Sequence, residues 1–429
     1  MNPIPTIVLL TAAWTATAQD GAKAEPSHDL DNLSALAGSM ASQVAELRGK
    51  AFLKDVHIEV ADRATFLSYA RRRMDELHGE DRMHHDQAVA RVSGLVPIEM
   101  DLQQVLLEVL AEQVGGFYEP TSGTFFVMEG TDPDLTKIIM AHELAHALDD
   151  QYHDLDGVDR RLSANSDALL AHHAVAEGSA QVLMFSWLMK NIANLDRQAL
   201  ADAQANLDTT ALRNAPPYVW KPLLALYSQG QAFLERRATP SIVPRSANMA
   251  DLEQAFTQLP TSTEQILHPV KYWDPERFDE PVTVELKLDA LPEGWCASLE
   301  DTFGELMLAI LTEPLNERHG LQASPLAMVA QRYTSNAAAG WGGDRYVLLE
   351  HEGGHMLHLS SVWDRAEDAD EFALALSDLS KDLETERKAG LDEGLHGYHL
   401  NRVDELRVDW SIWYQVPDAT AQQAIATIG

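Results

Sequence analysis

From Asp132 to about Gln151 the chain carries the pattern that constrains it most, a long helix with an apolar stripe that leaves little room for a solvated face. Asp132 caps it, Pro133 suits its first turn, and Leu135, Ile138, Ile139, Leu144, Ala145 and Leu148 recur at helical spacing. Such a helix belongs inside a protein. Its middle nevertheless holds His142, Glu143 and His146, and burying those three without partners costs several kcal/mol. The fold has to bring them a partner.

Histidines four residues apart stand one turn apart on the same helix face, where both reach one cation, and a glutamate beside them can take a proton from water on that cation. Chance alone would place about 0.05 such pentapeptides in a chain of this length and histidine content. The residues therefore point to one Zn2+ per chain held by His142 and His146, with Glu143 as general base. A catalytic zinc needs a third protein ligand and an open position. Downstream, His153, Asp154, Asp156, His172, His173 and Glu177 have suitable chemistry. Glu177 is the expected ligand, because it lies among Ala174, Val175, Ala176, Gly178, Ser179 and Ala180. There a carboxylate is unfavourable without a partner, and small neighbours let a second helix approach.

The run from His142 to Asp150 resembles the His-Glu-Leu-x-His-Ala-x-x-Asp stretch of the thermolysin-like gluzincin metallopeptidases, in which a second helix brings a glutamate ligand. The resemblance implies a zincin-like catalytic core and hydrolysis of a peptide or protein substrate, with Glu143 activating a zinc-bound water. It also implies that Asp150 is an acceptor orienting a ligand histidine. The chain departs from the pattern at Gln181, four residues after Glu177, which is not an acid. Metzincins fit worse, since their third histidine would fall on Tyr152 and their glycine on Asp149. Further segments, among them Gly116-Phe117-Tyr118, Glu177-Gly178, Tyr227 to Phe233, Thr263 to Pro269 and Trp341 to Tyr346, are similar to a poorly characterised bacterial group of predicted exported metallopeptidases. That likeness spans most of residues 50–375 and implies a shared fold but no substrate. Two alternatives stand beside it, a zinc amidase or other zinc hydrolase, and a catalytically inactive zincin-like binding protein.

A donor for the developing oxyanion is left open among Tyr227, His268, Arg345 and Tyr346. The second pentapeptide of the same form, His351-Glu352-Gly353-Gly354-His355, reads differently. Two glycines cost a helix interior about 2 kcal/mol relative to alanine, and the flanking residues read as strands, so the glycines mark a hairpin turn. His84-His85 and His172-His173 are adjacent pairs that point apart on a helix and read as ordinary polar positions.

Around the central helix the pattern predicts an α+β, predominantly helical fold: a small upstream sheet with a hairpin, a helical metal-binding part and a mixed α/β C-terminal part. The expected divisions are 19–130, 131–270 and 271–429. Helices are expected over 29–50, 61–78, 101–114, 164–192, 197–213, 217–235, 249–258, 299–312 and 366–384. Strands are expected at Val56–Val60, within Gly115–Met128 as strand, Pro/Gly turn, strand, at Val282–Leu288, and around 345–350 and 356–363, with a short strand and helix at the C-terminus. Phe125 to Met128 is a candidate sheet edge along which an extended peptide would lie.

With 32 Lys and Arg against 66 Asp and Glu, the formal net charge is −34, which repels nucleic acid and anionic lipid surfaces. Residues 4–18, an apolar run ending in Ala16-Thr17-Ala18, read as the body and cleavage site of a signal peptide over 1–18. Export to the periplasm or the outside is therefore expected. No later stretch has the length to span a bilayer, and the single cysteine, Cys296, excludes an internal disulfide.

Overall fold

The computed structural model describes residues 30–428 apart from 80, 207, 242–246, 322–330 and 389–394; the expected leader at 1–18 lies outside them. Helix α1 (Leu30–Arg48) leads into strand β1 (His57–Ala61) and helix α2 (Arg63–His78), whose start is fixed by Asp62 accepting from the Thr65 amide. Helices α3 (Arg82–Val92) and α4 (Leu102–Gln113) follow, then the hairpin of β2 (Gly116–Glu119) and β3 (Thr124–Met128). These strands form one sheet in the order β1-β3-β2, with β1 parallel and β2 antiparallel to β3. The expectation that Phe125 to Met128 forms a sheet edge is thus corrected: β3 is central. Phe125 and Val127 are fully buried, and a near-continuous apolar run marks a strand covered on both faces.

The helical part consists of α5 (Pro133–His153), α6 (Leu155–Leu162), α7 (Ser166–Asn191), α8 (Arg197–Ala205), α9 (Thr210–Asn214), α10 (Pro217–Leu234), α11 (Met249–Thr257), α12 (Thr263–Leu267) and α13 (Val270–Trp273). One helix expected over 197–213 is two. Four helices were not anticipated: α12 and α13 have only five and four residues, and α6 and α3 were missed for different reasons. α6 has only eight residues, too short for periodicity to stand out. The first turns of α3 are polar because Arg82 is an internal tie. It pairs with Asp86 on its own helix at 2.9 Å, with Ser166 on α7 at 3.1 Å, and with Asp301 of the C-terminal part.

That C-terminal part is a five-stranded antiparallel sheet of β4 (Cys296–Asp301), β5 (Trp341–His351), β6 (Gly354–Trp363), β7 (His396–Arg402) and β8 (Arg407–Tyr414), in the order β4-β5-β6-β8-β7. Helices α14 (Gly304–Leu311), α15 (Ala366–Lys388) and α16 (Asp418–Ile428) accompany it. Glu352 and Gly353 join β5 to β6 with φ of +48° and +85°, the left-handed pair that a two-residue hairpin turn requires. The strand expected at Val282–Leu288 is absent. Its position beside β5 is taken by β4, and the segment's alternating Leu286 and Leu288 pack on the sheet's apolar face without a ladder. Helix α14 starts five residues later than expected, since Asp344 accepts from the amides of Phe303 and Gly304 at 2.9 and 2.8 Å and fixes the first turn there. One apolar core, from Phe66 and Leu110 through Leu170 and Trp220 to Phe303, Trp363 and Trp410, crosses the expected boundary at residue 270. None of the helices among the described residues is long and apolar enough to cross a membrane.

Candidate metal centre

The two longest helices of the central part, α5 and α7, pack directly on each other, and that contact brings a carboxylate to the histidine pair. The Nε2 atoms of His142 and His146 lie 2.9 Å apart, and Glu177 Oε2 lies 3.2 Å from the first and 3.5 Å from the second. Two ligands of a tetrahedral zinc with bonds of 2.0–2.1 Å sit about 3.3 Å apart, so the triangle has the size and the donor set that zinc takes. His142 and Glu143 are 0% exposed, His146 1% and Glu177 5%.

Burial fixes the charge state. It drives the His142 imidazole down to about 4, against the opposing pull of Glu177, so the ring is neutral at neutral pH and its lone pair is free to ligate. Burial alone would raise Glu177, but the His146 and His142 rings hold it at about 2, as an anion. Burial, and then the charge of Glu177, holds Glu143 well above the ordinary carboxyl range; the Tyr118 backbone acts the other way. Neither oxygen of Glu143 has a hydrogen-bond partner. A buried, unpartnered carboxyl beside three convergent ligand atoms is unfavourable and points to a species that the side chains alone do not supply.

Glycines set the helix crossing behind this arrangement. A Cβ on Gly178, the neighbour of Glu177, would collide with the backbone of Gly230 on α10, and one on Gly230 would collide with the Ala174 carbonyl. The α7 and α10 backbones therefore touch, and α10 delivers Tyr227, whose ring lies 6.0 Å from that of His142. Of the four candidate oxyanion donors, Tyr227 is the one in contact with the cluster. His268 is bonded to Glu305 at 2.8 Å, Arg345 pairs with Glu300 at 3.7 Å, and Tyr346 is buried against Phe303.

The other ligand candidates are engaged elsewhere. His153 stacks on Phe256, Asp154 caps α6 at the Gly157 amide, and Asp156 pairs with Arg73. His172 and His173 both turn to Asp159. The outer contacts also differ from expectation. Asp150 does not orient a ligand histidine: it accepts from the Tyr118 hydroxyl at 2.9 Å and the Leu155 amide at 3.0 Å, holding β2 and α6 to the end of α5. The Nδ1 atoms of both His142 and His146 are buried without hydrogen-bond partners. Its neighbour Asp149 points into the core instead, accepting from Ser179 on α7 at 2.5 Å and Arg48 on α1 at 2.9 Å.

Sequence reasoning missed this Asp149 clamp, and also Tyr69. The Tyr69 ring stacks on Phe117 at 4.7 Å, and its hydroxyl is within electrostatic reach of Glu143. The available signal for the clamp was Asp149 itself, an acid three residues after His146 and so on the same face of a buried helix; Tyr69 left none. The family model of a domain of unknown function, DUF8575, matches residues 296–420, which is the C-terminal sheet and not the histidine cluster. Neither a curated protein nor a solved structure matches the chain.

Proposed function

We propose that the protein is a zinc-dependent metallopeptidase with a zincin-like core of the gluzincin type, hydrolysing peptide bonds in a peptide or protein substrate. The observation that carries this reading is the triangle of His142 Nε2, His146 Nε2 and Glu177 Oε2 with the unpartnered Glu143 carboxyl beside it. His142, His146 and Glu177 would hold the ion, which when bound supplies Lewis-acid activation of water and of the scissile carbonyl. Glu143 takes the proton of the attacking water on a carboxylate oxygen and returns it to the leaving amine. Tyr227, against His142, is the donor best placed to steady the oxyanion. In the sheet order β1-β3-β2 an extended peptide would add at an edge strand rather than along β3, and of the two edges β2 is the one whose Tyr118 backbone bears on Glu143.

Complete burial of the four side chains favours one competing reading, a zincin-like protein that binds zinc without turnover. Zinc content by elemental analysis, with peptide hydrolysis on the same samples, separates the two. The peptidase reading expects one zinc at this cluster in the wild type, its loss in Glu177→Ala, and its retention in Glu143→Gln with hydrolysis reduced about 10²- to 10⁴-fold. Zinc bound without hydrolysis in the wild type would leave the inert reading, and zinc unaffected by Glu177→Ala would remove both.

A further inference from the structure

Neither His142 nor His146 has a hydrogen-bond partner on its Nδ1 among the described residues. A ligand imidazole usually donates from its second nitrogen to an acceptor that fixes the ring. Here that support is missing, and the placement of the rings falls to the helix that carries them. The third ligand, Glu177, stands on a different helix, and zinc tolerates errors of only about 0.2 Å in its ligand distances. The register of α7 on α5 therefore has to be held closely.

One polar contact locks the two helices beside the cluster. Asp149, three residues beyond His146, accepts at 2.5 Å from the hydroxyl of Ser179, two residues beyond Glu177. Its other oxygen accepts from Arg48 Nε of α1 at 2.9 Å. All three are buried, with Arg48 and Asp149 2% exposed and Ser179 0%. Other mid-helix serines of this chain turn back on their own helix: Ser186 donates to the Val182 carbonyl at 2.7 Å and Ser228 to the Leu224 carbonyl at 2.8 Å. Ser179 donates across to α5 instead. A lone carboxylate at the depth of Asp149 is unfavourable, and Arg48 supplies its counter-charge. Helix α1 brings Arg48 there by packing Leu33, Ala37, Met40 and Val44 against both α5 and α7.

We propose that Asp149, held by Arg48 and Ser179, is a positioning residue for the metal centre. It fixes the register of α7 on α5, and through it the distance from Glu177 to the two imidazoles. The inference rests on the reading of the cluster as a zinc site, and it makes the docking of α1 a condition for tight zinc binding.

The test is the zinc dissociation constant of the full-length chain, by competition with a chromophoric chelator at a temperature where circular dichroism shows every variant folded, beside the Tm of each metal-free form. Ser179→Ala, which removes a single hydroxyl, should weaken zinc about 10-fold, and Asp149→Asn and Arg48→Ala about 10- to 100-fold. Arg48→Lys, which keeps the counter-charge, should recover part of that loss. Trp187→Phe is the control. It breaks another bond between α7 and α1, from Trp187 Nε1 to Gln43 at 2.9 Å and ten residues beyond Glu177, and should lower Tm with zinc affinity unchanged. Zinc held equally by wild type and by Ser179→Ala and Asp149→Asn, or weakened as much by Trp187→Phe, would overturn the proposal and leave the zinc site itself in place. A wild type that takes up no zinc would remove the site and the proposal together.

Discussion

Two groups of three ligand side chains converge among the described residues, His142 with His146 and Glu177, and Glu264 with Asp279 and Asp364. By the distances between their ligand atoms they look alike; by what lies between those atoms they are opposites. The second group already holds a cation. The ammonium of Lys271 is 2.6 Å from Glu264, 2.7 Å from Asp279 and 2.8 Å from Asp364, and the three carboxylates hold it charged, above its ordinary pKa, against the effect of burial. In the first group no Lys or Arg enters, and the neighbouring Glu143 is unpartnered. Convergent ligand atoms are thus a weak signal of a metal site until the cation that the chain itself provides has been counted.

The sharpest way to break this contrast is at the helix crossing. Gly230→Ala pushes a methyl into the Ala174 carbonyl, a backbone collision that no rotamer relieves, and should cost about 3 kcal/mol or more in urea unfolding. Because α10 would move off α7 and carry Tyr227 away from His142, hydrolysis should fall with it, while the Lys271 group is left intact. Acid should divide the two groups next. In the metal-free chain His142 sits at about 4 instead of 6.5. A depressed folded-state pKa gives stability that is complete above 6.5 and lost as pH falls through 4, here about 3 kcal/mol. His172 and His358, also lowered to about 4 by burial, add to the same window. The His142 share is therefore the extra loss of the wild type over His142→Gln between pH 7 and 4, measured by denaturant titration.

Lys271→Ala should cost about 2 kcal/mol, below the range for fully buried pairs because Asp279 and Asp364 are over a third exposed. It should also create what the wild type lacks, a site at which millimolar calcium raises Tm. If calcium stabilises the wild type equally, the ammonium is not what closes that group. The smallest effect is expected at Asp150, where Asp150→Asn should lower stability by about 1 kcal/mol through its Tyr118 and Leu155 bonds and leave zinc content unchanged. Loss of zinc in that variant would restore the role that the sequence resemblance implied for it.

Legibility in the sequence followed the range of the interaction. The long helices α5, α7 and α10 were read to within a few residues, because caps and an apolar stripe are local properties. The hairpin at His351 to His355 was read from two adjacent glycines, of which Gly353 with Glu352 makes the turn while Gly354 opens β6 against the backbone of Gln415. Errors arose where a neighbour decided the outcome. Val282–Leu288 alternates like a strand but finds β4 already on the edge of β5, and α3 looks polar because Arg82 is neutralised by Asp301, far away in the sequence. Strand β3 could be recognised as a strand but not ranked within its sheet, since β1 reaches it from more than sixty positions upstream.

The sequence by itself determined that His142, Glu143 and His146 share one helix and that this helix is buried, because a turn of helix and an apolar stripe need no distant partner. Only the tertiary structure decided which acid completes the group, which side chains approach it, and that Asp150 faces Tyr118 rather than a histidine. Those outcomes depend on where α7 crosses α5 and α10, and the second crossing is set by backbone contact at Gly178 and Gly230, residues whose lack of a side chain is written in the sequence but whose neighbours are not.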